Sequence, residues 1–381
     1  MVKEPCVTPR LNRPTSPQQR NFLANYLSTP ENLTKGSRTN HRPRLPTHSR
    51  YSLIRSLSVT SSQRTTWGFV GLGQMGYPMA KNLRAKIPTS DTVIIYDLNA
   101  NATRRFVEEI GIVTSTASTG DKNIRIHIAS SPREVAERAE TIFTVLPEPQ
   151  HVKDVFYDII DSALPSKELK QQRLFIDCST IDPVTSKEVA HAVQSRGQGL
   201  FVDAPMSGGV VGARAGTLTF MVGCPDSLVD RVKPYLCYMG SRVLHMGEQG
   251  AGLSAKLANN YLLALSNIAT AEAMNLGIKW GLDKKRLGEM INACSGRCWS
   301  SEVNNPVPGV IENAPASRNY AGGFGVSLMR KDLKLAMAAA KEAGARLELA
   351  DKAREVYEAI EKDEDYKGKD FSIVYRYLTE R

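Results

Sequence analysis

No stretch of the 381 residues approaches the ~18 uninterrupted apolar residues that a membrane-spanning helix requires, so a transmembrane segment is excluded. Cysteine is sparse. Cys6, Cys178, Cys224, Cys237, Cys294 and Cys298 lie scattered, with no C-x-x-C pair and no histidine at ligand spacing, which argues against a disulfide scaffold or zinc site; no metal is expected. Cys294 and Cys298 are four apart and would share one face of a helix, but two thiols without histidines read as packing. A basic body is missing as well. Of the net +10, residues 1–66 carry +9, from eleven Lys and Arg against Glu4 and Glu31, which leaves +1 for Trp67–Arg381. A body so close to neutral lacks the basic stripe of a nucleic-acid-binding protein, and no nucleic-acid partner is expected. At roughly 150 residues per domain, the body has room for about two cores.

Residues 1–66 are rich in Arg, Ser, Thr and Asn, contain seven prolines and are poor in acids. That is the composition of a mitochondrial transit peptide. Around Arg50–Ser58, Leu53, Ile54 and Leu57 share a helical face beside Arg50 and Arg55. The alternative is a basic tail that carries no address.

From Trp67 short apolar runs alternate with amphipathic segments. Gly68–Val70, Thr92–Tyr96, Thr141–Leu146, Leu174–Ile176 and Leu200–Val202 read as buried strands. Ala102–Ile110, Pro132–Ala139, Val152–Ala163 and Pro183–Ser195 read as the helices between them. Strands joined by helices predict a parallel sheet covered on both faces. Ser131-Pro132-Arg133-Glu134 combines an N-cap, a proline at the first helical position and a capping-box glutamate. The polar stretch Ile112–Ser130 reads as a loop or extra hairpin. After Met246 the strand signal fades, and helices are expected near Leu253–Trp280, Asp283–Ala293, Ser327–Gly344 and Arg346–Lys362.

Gly71-Leu72-Gly73-Gln74-Met75-Gly76 has the G-x-G-x-x-G spacing. It follows an apolar run, opens a helical segment, and is followed 21 residues beyond Gly76 by Asp97. Gly71 permits the tight turn, Gly73 lets the backbone approach a pyrophosphate, and Gly76 lets helix pack on strand. The helix N-terminus then offers amide hydrogens to the phosphates. Asp97 can accept both ribose hydroxyls and would repel a 2′-phosphate, so NAD is expected over NADP. Arg104 and Arg105 argue the other way unless they sit on a solvated helix face. The fold expected is α/β: an N-terminal Rossmann-type doubly wound parallel sheet (67–246) followed by an all-helical C-terminal domain (247–381).

Lys256 and Asn260 fall four apart, on one face of the helix that follows Gly250 and Gly252. A lone lysine there would ordinarily be solvated. The residues after it, Tyr261–Ala264, are apolar, so the helix enters a core and its polar residues are costly unless used. A lysine near a helix N-terminus, close to another cation, has its ammonium disfavoured, which suits a general base for an alcohol.

These motifs resemble the β-hydroxyacid dehydrogenases. The likeness runs from about Trp67 to Ala336, over GFVGLGQMGYPMAKNL (68–83), DCSTIDP (177–183), DAPMSGGVVGARAGTLTFMVG (203–223) and GLSAKLANN (252–260). SGRCWSSEVNNPVPG (295–309) and GGFGVSLMRKDLKLA (322–336) look like its 3-hydroxyisobutyrate branch. The resemblance implies Lys256 as catalytic base with Asn260 beside it, and Ser207-Gly208-Gly209 as the loop that binds the substrate carboxylate. Lys331 would reach both substrate and nicotinamide, although by itself it could pair with Asp332 on a surface. Leu146, Pro147 and Thr180 would line the cofactor, and Trp299 and Phe324 a pocket wall unless they are core. Leu146-Pro-Glu-Pro-Gln departs from the small polar residues usual there.

The implied activity is NAD-dependent oxidation of 3-hydroxyisobutyrate to methylmalonate semialdehyde, as in valine catabolism in the mitochondrial matrix, by a homodimer or homotetramer. Two alternatives stand beside it. One is another small acid, such as tartronate semialdehyde or an ω-semialdehyde, reduced with NADPH; the other is a non-catalytic cofactor sensor.

Overall fold

The computed structural model describes residues 64–115, 125–162 and 172–380, excepting the side chains of 111–115 and 162. The leader, through residue 63, lies outside the described residues. Among the described residues nine strands form one sheet: β1 (Thr66–Val70), β2 (Thr92–Tyr96), β3 (Arg125–Ile128), β4 (Thr141–Thr144), β5 (Leu174–Asp177), β6 (Leu200–Asp203), β7 (Met206–Ser207), β8 (Leu218–Gly223) and β9 (Gly240–Gly247). The first six are parallel in the order 3-2-1-4-5-6, the arrangement of two βαβαβ halves. Helices α1 (Gly76–Lys86), α2 (Ala100–Ser115), α3 (Pro132–Arg138), α4 (Pro149–Ser162) and α5 (Pro183–Ser195) connect them. Two apolar clusters cover the faces, one around Phe69, Leu83, Phe106 and Phe143, the other around Val135, Phe156, Phe175 and Phe201. Burial on both sides is what makes Thr141–Thr144 and Leu174–Asp177 solidly buried rather than alternating.

Two features depart from the sequence reading. Ile112–Ser130 is not a mere loop or extra hairpin. Its first residues extend α2 to Ser115, and Arg125–Ile128 is β3, an integral parallel edge strand paired to β2. The signal is weak because β3 is four residues long and partly exposed, so it needs no apolar run. Residues 116–124 lie outside the described set. Beyond β6 the sheet is extended by β8, which runs antiparallel to β6 and β7 and parallel to β9. Between these strands lie α6 (Gly209–Ala215) and α7 (Asp226–Leu236).

The helix starts follow local chemistry. Ser131 Oγ accepts from Glu134 N at 3.2 Å, and Glu134 reaches back to Ser130 N at 2.8 Å, so the box closes one residue earlier than expected. Pro149 opens α4, which accounts for the second proline after Leu146.

After β9 the chain is helical: α8 (Ala251–Lys279), α9 (Lys284–Ala293), α10 (Trp299–Glu302), α11 (Val326–Glu342), α12 (Ala350–Glu361) and α13 (Val374–Thr379). Their core gathers Ala264, Ala271, Tyr320, Met329, Leu333, Tyr357 and Phe371. Cys294 ends α9 and Cys298 caps α10, so the two thiols do not share a helix. Among the described residues no helix is long and apolar enough to cross a membrane.

Candidate active site at the carboxyl ends of the strands

The glycine loop joins β1 to α1. Gly71 has φ +95°, and a Cβ there would strike the Val145 carbonyl oxygen, so only glycine fits this turn. A Cβ on Gly76 would strike Gly71 O, whereas one on Gly73 would meet nothing within 4 Å. The approach to Gly73 is therefore open. Gln74 is exposed, Met75 half-buried, and Leu72 anchored in the core. Asp97, at the end of β2, accepts from Leu72 N at 2.6 Å and from Asn99 N at 2.7 Å. Its carboxylate thus stands at the mouth of the loop. Open backbone, a helix N-terminus and an acid at the neighbouring strand end fit the pyrophosphate and ribose of NAD. Arg104 bonds back to Asn101, and Arg105 lies 4.4 Å over the Tyr77 ring; both belong to the α2 surface.

Lys256 and Asn260 are both buried on α8. Burial pulls the Lys256 ammonium below the ordinary lysine range; Asp332 opposes the shift and Lys331 adds to it. Asn260 Nδ2 donates to Asp332 Oδ2 at 2.6 Å and its Oδ1 accepts from Asn259 at 3.1 Å. Burial raises the Asp332 carboxyl, against the pull of Lys331 and Lys256. Asp332 is the residue that the sequence reading passes over. Its signal is the Lys331-Asp332 pair, which by spacing alone reads as a surface contact.

Lys331 is not spent on that contact. Its Nζ lies 3.9 Å from Asp332 Oδ1 but donates at 2.9 Å to both Pro147 O and Thr180 O, beyond β4 and β5. Helix α11 is thereby fastened to the carboxyl edge of the sheet, where ligands of open α/β sheets bind. Leu146, Pro147, Thr180, Lys331, Lys256 and Asn260 are linked around that edge, through Asp332 for the last two.

Ser207–Gly209 is set by different bonds. Ser207 pairs with Thr219 across β7 and β8, and Gly208 and Gly209 have φ of +132° and +59°. A Cβ on Gly209 would meet nothing within 4 Å, whereas one on Gly208 would press on Leu218, so the turn is open at Gly209. The common anchor is Asp203 at the end of β6. It accepts from Gly250 N at 2.6 Å, Leu253 N at 2.9 Å and Gln249 Nε2 at 2.9 Å, fixing the start of α8 beside the strand that leads to Ser207. Phe324 is part of the helical core and meets Phe371 edge-on at 6.0 Å, while Trp299 is 50% exposed. A cleft of about 610 Å³ beside α9, lined by Lys285, Glu289 and Asn292, shares no residue with this site.

A Rossmann sheet with an open glycine loop, closed by a helical domain that carries a buried lysine, defines an NAD-binding dehydrogenase. Residues 66–247 match the NAD binding domain of 6-phosphogluconate dehydrogenase, and 250–378 match the domain described as NAD-binding of NADP-dependent 3-hydroxyisobutyrate dehydrogenase. Mitochondrial 3-hydroxyisobutyrate dehydrogenase of Rattus norvegicus is 45% identical over 86% of this chain and 91% of its own length. The Homo sapiens protein of that name is 43% identical over 88% and 92%. The structure of Mycobacterium tuberculosis 3-hydroxyisobutyrate dehydrogenase with L-serine is 35% identical, with a TM-score of 0.73 over 83% of this chain and 99% of that one. The chain belongs to the 3-hydroxyisobutyrate dehydrogenase family.

Proposed function

We propose that the chain oxidises 3-hydroxyisobutyrate to methylmalonate semialdehyde with NAD, as in valine catabolism. The observation that carries the reading is the buried Lys256, held toward its neutral form beside Asn260, Asp332 and Lys331. When bound, NAD supplies the acceptor for the hydride of the alcohol carbon. The chain's own residues do the rest. Ser207 and the amides of Gly208 and Gly209 hold the substrate carboxylate. Neutral Lys256 takes the hydroxyl proton on its Nζ, and Asn260, oriented by Asp332, holds the hydroxyl against it. Gly71–Gly76 and Asp97 hold the dinucleotide, with Leu146, Pro147, Thr180 and Lys331 at its nicotinamide end. Fixing a small substrate at one end turns collision into orientation, which is worth several kcal/mol of barrier. L-serine, present in the Mycobacterium tuberculosis structure, has the same primary alcohol near a carboxylate.

The matching family description names NADP, but Asp97 favours NAD in this chain. The domain division proposed is a sheet domain at 67–246 and a helical domain at 247–381. The relatives are named mitochondrial, which supports the leader ahead of β1 as a transit peptide and the matrix as destination. The quaternary state proposed is a homodimer or homotetramer. The test is NADH formation by the purified chain from (S)-3-hydroxyisobutyrate, with NADP and L-serine as comparators. Strong NAD-linked turnover of the first acid is expected. NAD binding without that turnover would send the substrate assignment to another small acid.

A further inference from the structure

At Leu146 the sheet has ended. Val145 N still bonds to Val70 O, and Cys178 N to Thr144 O, but Leu146 N–H is taken by a side chain, donating to Ser179 Oγ at 2.9 Å. A serine hydroxyl has one proton, so Ser179 must pass its own onward. It gives it to Asp177 Oδ1 at 2.6 Å. The same oxygen accepts from Thr144 Oγ1 at 2.7 Å and Ser179 N at 3.2 Å. One carboxyl oxygen therefore ties the end of β4 to the end of β5 and, through Ser179, to Leu146, the second residue after β4. Asp177 is wholly buried, and its Oδ2 has no partner among the described residues, so this costly group is kept for what Oδ1 does. One residue further along each loop, Pro147 O and Thr180 O receive Lys331.

We propose that Asp177 and Ser179 are positioning residues for the cofactor. They set the spacing of the 146–147 and 179–180 loops, and so aim the two carbonyls that dock Lys331. The inference rests on the reading that Leu146, Pro147 and Thr180 line the nicotinamide end of NAD. Neither Asp177 nor Ser179 touches a ligand; both act through the loops. Substitution therefore falls on NAD affinity and leaves turnover at saturating NAD little changed. Asp177→Asn keeps an Oδ1 acceptor for all three donors and preserves function, whereas Asp177→Ala removes it.

The experiment is calorimetric titration of NAD into the purified full chain and its variants, with steady-state kinetics alongside. Ser179→Ala is expected to raise the Kd and KM for NAD roughly tenfold, the loss of about one hydrogen bond to a charged group, and Asp177→Ala, which removes the acceptor of all three donors, at least as much. Their kcat should stay within about twofold, and Asp177→Asn should resemble wild type. Folded Ser179→Ala with Kd for NAD within about twofold of wild type overturns the proposal, and so does an Asp177→Asn variant as impaired as Ser179→Ala. If Asp177→Ala does not fold, those two variants still decide. Thr180→Trp separates the underlying reading, since it crowds the loop mouth. NAD binding lost there but intact in Ser179→Ala overturns the positioning relay alone; binding indifferent to Thr180→Trp overturns the lining of the nicotinamide end and the relay with it.

Discussion

At the scale of residues, the proposed chemistry turns on Lys256. A base that must be neutral works better as pH rises, and burial places its titration below the ordinary lysine range. The rate of alcohol oxidation should therefore climb with pH and level off before a solvated lysine would titrate. Lys256→Ala should lower kcat by roughly 100-fold or more, the usual share of general-base catalysis. A variant within about threefold of wild type would remove Lys256 from that role. Asp97 offers a second test. Because its carboxylate also holds Leu72 N, Asp97→Ser loosens the glycine loop for either cofactor; the NAD-to-NADP preference isolates the charge. That ratio should fall by about tenfold, as expected for a lost charge-assisted contact. An unchanged ratio measured by parallel kinetics would place cofactor choice elsewhere.

At the scale of elements, what makes the site is how α8 and α11 are pinned. Asp203 holds the N-terminus of α8, and burial raises its carboxyl to about 6, with the Gly250 and Leu253 amides pulling it back. The sign follows from linkage. A folded value above the unfolded ~3.9 means that the native state binds more protons between about pH 4 and 6. Its contribution to stability is full below that window and is lost as pH rises through it. Thermal denaturation across pH 4–6 should show this slope in the wild type, and Asp203→Asn should flatten it. The elements also mark where the sequence is legible. The starts of α3 and α5 are written in Ser131, Asp182 and the prolines that follow, because capping is local chemistry. Strand β3 is not written that way: an edge strand with one neighbour needs no continuous apolar run. Strand β8 carries an apolar run, yet its partners β7 and β9 are fixed by pairing across distance, which no local pattern encodes.

At the scale of the whole molecule, α8 reaches beyond what its own core needs. It is 29 residues long, about 43 Å, and buries one side against the helical core. On another side Leu262 is 66% exposed, Leu276 49% and Trp280 73%, with exposed Ala269 midway between the two leucines. Leu262, Ala269 and Leu276 are spaced by sevens, the repeat that keeps one seam of a helix toward a partner helix. This supports the proposed homo-oligomer, with α8 in its interface. Size-exclusion chromatography with light scattering should find a dimer or tetramer for the wild type and a smaller species for Leu262→Glu/Leu276→Glu. A wild-type monomer, or an assembly indifferent to those charges, would count against it.

The amino-acid sequence by itself determined β1, β2, β4, β5 and β6 with the helices α1 to α5 among them, the glycine turn with its acid on the next strand, and the placement of Lys256 and Asn260 on one helical face. Each of these depends on spacing along the chain: the period of a helix, the length of a strand, the reach of a turn. The tertiary structure alone decided that Asp332, 72 residues away, orients Asn260, that Lys331 docks on Pro147 and Thr180 rather than on Asp332, and that Asp203 holds the start of α8. It also joined Thr144, Asp177 and Ser179 at a single oxygen. The reason is physical: a buried polar group must find its partners wherever packing puts them, and those partners lie across space, where sequence separation carries no information.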